Sequence, residues 1–168
     1  MPRRWHLHRH DALPRHTYEV GIVMSDTQLT SSAALLLRVT SGLLFLAHGL
    51  LLKVMTFGVA GTVGYFESIG YPGYFAYLVI LGEIGGGLAL ILGLWTRTVS
   101  LLLIPIMIGA ALQHIGNGWM FSNAGGGWEF PVFWTIVLVV QALLGPGAYA
   151  LRLDALLPGK PPRVAPAH

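Results

Sequence analysis

The stretch Leu35–Lys53, LLLRVTSGLLFLAHGLLLK, decides the fold. It is long and apolar, and its polar residues do not alternate as those of a barrel strand would. At about 100° per residue, Arg38, Ser41, Gly42, Phe45, His48, Gly49 and Lys53 fall within one arc of about 140°. The opposite arc is mostly Leu, Val and Ala, with Thr40 its one polar exception. Lipid offers no partner to the polar groups, so that face must turn toward other helices of a bundle.

Three similar runs follow this one, which spans about residues 33–52. They cover about 76–95, 100–116 and 130–149. Each approaches the roughly 20 residues a helix needs to cross about 30 Å of hydrocarbon. Over the whole chain of 168 residues, 54% are hydrophobic and 10% charged, where a soluble domain carries roughly 25% charged. A soluble fold of this size could not cover its surface with so few charges. The expected fold is therefore all-α, a four-helix transmembrane bundle within residues 33–154. A polar leader (1–32) that reads as disordered precedes it, and a Pro-rich cytoplasmic tail (155–168) follows.

Breaks between the runs are marked by residue type. Trp95-Thr96-Arg97-Thr98 reads as a tight turn, Pro131 suits the first turn of the fourth helix, and Gly145-Pro146-Gly147 ends or kinks its far end. Pro105 should kink the third helix. The connection from Val54 to Phe75 is long and aromatic, and reads as lying at headgroup level or dipping back into the bundle. In the leader, Trp5-His6-Leu7-His8-Arg9-His10 could hold a metal adventitiously. Met24-Ser25-Asp26 reads as a natural start, so part of the leader is expected to be a mis-assigned extension. Arg38, Arg97, Arg152, Lys160 and Arg163 fall on one side of a four-pass arrangement and only Lys53 on the other. Basic residues favour the cytoplasmic side, so both termini are expected there.

Ionisable groups inside such helices are candidates for function. On the second run, Glu83 shares a face with Gly86, Gly87, Leu90, Leu94 and Arg97, and Gly85-Gly86-Gly87 removes bulk where another helix approaches. By depth, His48, Glu83 and His114 should meet in the outer half of the membrane, with Lys53, Gln113, Asn117 and Glu129 at the mouth. Arg38 lies roughly 15 Å from His48 along its helix, too far to join them. Each residue also has a plainer reading. Lys53 and Arg38 would snorkel, Glu129 would cap a helix start, the histidines would bond backbone carbonyls, and Arg97 would anchor a turn. Glu83 resists that treatment, because a carboxylate so deep needs a cation, a hydrogen bond or a proton.

Other chemistries find no support. The net charge of +3 and the lack of an aromatic-laced basic stripe argue against nucleic acid. There is no cysteine, so thiol redox and thiolate ligation are excluded from this chain. No phosphate loop, nucleophile elbow or HExxH occurs. The histidines and glutamates fix no metal geometry, so no metal site is expected. Gly125-Gly126-Gly127 reads as flexible backbone.

Taken together, these segments resemble the DoxX family of bacterial four-helix membrane proteins. The resemblance rests on Leu37-Arg38 through His48-Gly49-Leu50-Leu51-Leu52-Lys53, on Phe66 to Gly70-Tyr71-Pro72, and on Glu83-Ile84-Gly85-Gly86-Gly87. It continues through Leu92-Gly93-Leu94-Trp95-Thr96-Arg97, His114, Gly127-Trp128-Glu129 and Gly145-Pro146-Gly147. Tyr149 stands where a small hydroxyl residue is common in the family. The resemblance implies a cytoplasmic-membrane protein. In some relatives the membrane subunit works beside a superoxide dismutase and a sulfurtransferase, and others belong to thiosulfate:quinone oxidoreductases. It thus implies a quinone or small-solute pocket at His48, Glu83 and His114, with Arg38, Lys53 and Glu129 as further candidates, and soluble redox partners. Three readings remain open: a quinone-linked oxidoreductase subunit, a small-solute or proton transporter requiring homo-oligomers, and a non-catalytic scaffold.

Overall fold

The structure, a computed structural model, describes residues 24–151. The histidine-rich run at residues 5–10, Arg152 and the Pro-rich tail lie outside them. Helix α1 (Asp26–Leu46) opens with a capping box, in which the Ser25 hydroxyl accepts from the Gln28 amide and the Gln28 side chain accepts from the Ser25 amide. Such a box satisfies two of the helix's orphan donors and fixes its start. Residues 26–32, read from composition as part of a disordered leader, are therefore helical. Without interruption α1 passes into a π-helix, Ala47–Thr56, making one helix of 31 residues.

The long aromatic connection contains a helix of its own, α2 (Gly58–Ser68). Next come α3 (Tyr74–Leu92), α4 (Thr96–His114) extended by a 3₁₀ turn at Ile115–Asn117, and α5 (Glu129–Leu144). The described residues contain helices and no strand. Three of these helices are long and apolar enough to cross a membrane: Asp26–Thr56, Tyr74–Leu92 and Thr96–Asn117. The fourth, α5, has 16 residues and measures about 24 Å. It ends at Leu144 because Gly145 and Gly147 adopt φ of 84° and 67°, which a helix cannot continue. Gly93, at φ 77°, likewise ends α3 before Trp95, and Thr96 is already helical.

Packing runs in a closed ring, α1 against α3, α3 against α4, α4 against α5, and α5 back against α1. Its centre holds Phe45, Leu90, Leu103, Met107, Trp134 and Leu138. The buried set also includes Arg38, Ser41, Glu83, Thr96, Ser100 and Gln141, while Leu36, Leu81, Leu102 and Leu143 are largely exposed. This inverts the soluble pattern, and suits a solvent of hydrocarbon. The ring closes tightest where α1 crosses α3. A Cβ on Gly42 would stand 2.7 Å from the Gly87 carbonyl oxygen, and one on Gly87 would stand 2.8 Å from that of Gly42. Only glycine permits backbones to approach so closely.

Candidate functional site

Charge is buried at both ends of the ring, in two arrangements. At one end, where α3 and α5 finish, Arg38 is fully buried. Its Nη1 donates to the carbonyls of Leu90 (3.0 Å) and Ile91 (2.9 Å), and its Nη2 donates to that of Ala148 (3.1 Å). Those carbonyls belong to the last turn of α3 and to the segment after Gly-Pro-Gly. The guanidinium therefore neutralises a helix C-terminus and ties down the strand of backbone crossing it. Gly93 makes room, since a Cβ there would overlap Arg38 Nη1. Arg97 repeats the device on α5, donating to Ala142 (2.8 Å) and Leu143 (2.9 Å). Neither arginine snorkels away: each caps a neighbouring helix.

At the other end the π-helix meets α3. Each π-type hydrogen bond spans one residue more than in an α-helix, which brings residues five apart, such as His48 and Lys53, toward one face. Gly49 packs its α-carbon onto Glu83; a Cβ there would lie 2.9 Å from Glu83 Cβ and 3.2 Å from the Ile84 nitrogen. Lys53 Nζ donates to Glu83 Oε1 at 2.9 Å and stands 2.8 Å from Oε2. Glu83 is 6% exposed in its side chain and Lys53 20%, so the lysine is the partner that reaches outward. Thr62 of α2 holds the Lys53 backbone by donating to its carbonyl at 2.9 Å.

Beside this pair, the His48 Nδ1 donates to the Leu44 carbonyl at 2.9 Å, leaving Nε2 uncommitted. The imidazole meets the edge of Trp134, with ring centroids 5.3 Å apart, and Trp134 packs in turn on Phe45 at 4.4 Å and Phe130 at 5.6 Å. One buried atom beside them, Trp134 Nε1, has no hydrogen-bond partner, whereas both Glu83 oxygens face the Lys53 ammonium. A buried polar atom left unpaired costs about 1–3 kcal/mol, so the indole donor suits an incoming acceptor.

His114 and Glu129 do not join this cluster through any hydrogen bond. His114 Nδ1 donates to the Gly125 carbonyl at 3.0 Å, and Glu129 Oε1 accepts from the Phe121 amide at 2.9 Å. Both order the loop before α5, with Asn117 donating to the same Gly125 carbonyl. Gln113 reaches Tyr71 at 3.4 Å. The Gly125-Gly126-Gly127 triplet is packed, not loose: a Cβ on Gly127 would overlap the carbonyl oxygens of Trp119 and Met120. No group of three or more metal-ligating side chains occurs among the described residues. Trp134 is the member that composition did not single out. Its signal was an indole one helical turn before Leu138 and two before Gln141, on the buried face of an apolar run.

The DoxX family model matches residues 33–115. Over 117 residues the chain is 41% identical to a Bacillus subtilis (strain 168) protein named "Putative oxidoreductase CatD", an alignment covering 70% of this chain and 82% of that one. This chain belongs to the DoxX family. A second relative, "Inner membrane protein YqjF" of Escherichia coli (strain K12), is 38% identical over 102 residues, 60% of this chain and 75% of its own length. No solved structure matches. The family match spans Arg38, His48, Lys53, Glu83 and the Gly93 turn, and stops before the loop that Glu129 orders. As a DoxX protein the chain is a multi-pass membrane protein, in keeping with its three long apolar helices.

Proposed function

We propose that this protein is the membrane subunit of an oxidoreductase complex of the bacterial inner membrane and binds a quinone headgroup between the π-helix, α3 and α5. One observation carries the reading: the Lys53–Glu83 ion pair sits beside His48 and an aromatic wall, in which the buried Trp134 Nε1 donor has no partner. The residues fit the ligand's chemistry. Lys53 and the Trp134 indole can donate to a quinone oxygen, while Glu83 Oε2 and His48 Nε2 can accept from the hydroxyls of the reduced form. A bound quinone supplies two-electron redox capacity. This cysteine-free chain would hold the ring and exchange the two protons, and a soluble partner would deliver the electrons. The oxidoreductase and inner-membrane names of the two relatives favour the same assignment.

In this reading the chain crosses the bilayer four times, with α5 as the short fourth span. Both termini face the cytoplasm, because Arg38 and Arg97 lie at one end and Lys53 at the other. The test is mass spectrometry of organic extracts from protein purified in mild detergent. Near-stoichiometric quinone from the wild type, lost from Glu83→Gln and His48→Ala proteins that still fold, is the expected result. No small molecule enriched over the variants would overturn the redox reading in favour of transport or scaffolding.

A further inference from the structure

The loop between Asn117 and Glu129 combines three properties that a water-exposed loop would not need together. Its residues 118–128 contain no Asp, Glu, Lys, Arg or His. Its tip shows large apolar side chains, with Trp119 at 52%, Met120 at 57% and Phe121 at 68% exposure. Part of its backbone is paired from within. The amides of Trp128 and Glu129 donate to the carbonyls of Gly118 and Trp119, and those of Asn123 and Gly126 donate to Met120 and Asn123. Glu129, the first charge after the loop, has a carboxylate oxygen committed to the Phe121 amide.

Position adds a fourth observation. Arg97 in the first turn of α4 bonds the last turn of α5, so the two helices are level at that end. Helix α4 with its 3₁₀ turn runs 22 residues, about 33 Å, and α5 runs 16, about 24 Å. At the opposite end α5 thus begins about 9 Å short of α4, and the loop fills the shortfall. Irregular backbone deep in hydrocarbon needs every polar group paired, whereas at the headgroup boundary, which indoles favour, the remaining ones can meet water and headgroups.

We propose that this loop is a preorganised interfacial insert: Trp119, Met120 and Phe121 lie among the headgroups and upper acyl chains of one leaflet, completing the span that α5 leaves short. The inference rests on the transmembrane reading but not on the quinone. An uncharged, apolar tip matches a lipid surface better than a charged protein partner, and the bonds from His114, Asn117 and Glu129 keep it from collapsing onto the bundle.

The chain's lack of cysteine permits a direct test. Nitroxide labels at Phe121→Cys and, separately, at the hydrocarbon-facing control Leu81→Cys are placed in phosphatidylethanolamine/phosphatidylglycerol nanodiscs. Collision rates with oxygen and with a water-soluble nickel chelate are then measured. The expected result is an oxygen-to-nickel ratio at residue 121 several-fold above that of free label in water, with residue 81 higher still. A water-like ratio at 121 beside a lipid-like ratio at 81 overturns the loop insert alone and leaves its tip open to a soluble partner. Water-like ratios at both positions overturn the membrane reading, and the loop insert with it.

Discussion

At the Gly-Pro-Gly end of the bundle, Arg38 meets three backbone carbonyls and Arg97 two, all of them in or just after the last turns of α3 and α5. At the π-helix end, Lys53 and Glu83 meet each other, with Trp134 Nε1 and His48 Nε2 unspent nearby. Both ends bury ionised groups in a chain with little water around it. The difference lies in what the charge satisfies. A helix C-terminus holds carbonyls that no intrahelical donor reaches, so a guanidinium there completes the architecture. A side-chain ion pair completes nothing in the backbone. Unpaired buried atoms occur at both ends, Arg38 Nε and Gln141 Oε1 at one and Trp134 Nε1 at the other, so it is the pair beside His48 that points to a role beyond folding.

The contrast is broken most forcefully at Arg38. Arg38→Leu strips the Ile91 and Ala148 carbonyls of their side-chain donor in a dry site and leaves Leu90 only the Gly93 amide. About 3 kcal/mol of stability should vanish, read as the unfolding midpoint in detergent. A midpoint within error of the wild type would mean that the arginine is not a structural clamp. Next in size is Glu83→Leu, which strands the Lys53 ammonium. About 2 kcal/mol should be lost, less than for a fully enclosed pair, because Lys53 can swing outward along its aliphatic stem. The smallest effect belongs to Arg97→Ala. Its guanidinium is exposed enough for solvent or headgroups to replace it, so the same unfolding assay should register less than half the Arg38 effect.

The two ends also differ in how much of them could be read from residue order. Polar spacing along Leu35–Lys53 was enough to turn Arg38, His48 and Lys53 inward, and hydropathy located the apolar runs. The Ser25-x-x-Gln28 spacing is that of a capping box, a signal that reading the leader by its polar composition alone passes over. The π-helix left no trace in the pattern, because one residue more per hydrogen-bonded ring does not disturb an apolar run. Depth alone grouped His114 with His48 and Glu83, but groups at one depth on different helices can face different neighbours. His114 found a loop carbonyl instead. The roles of Arg38 and Arg97 were legible only through Gly93 and Gly145, helix-end glycines that make room for one guanidinium each, and that requires knowing which helix ends lie side by side.

The most direct measurement sets Arg38→Gln and Glu83→Gln side by side, with unfolding midpoint and affinity for a short-chain quinone read on the same preparations. Arg38→Gln should lower the midpoint markedly, while its folded fraction binds quinone like the wild type. Glu83→Gln should melt near the wild type and bind about tenfold more weakly or worse, the equivalent of about 1.4 kcal/mol. Wild-type affinity in Glu83→Gln, or a midpoint collapse there equal to that of Arg38→Gln, would contradict the division of the bundle into a structural end and a ligand-binding end.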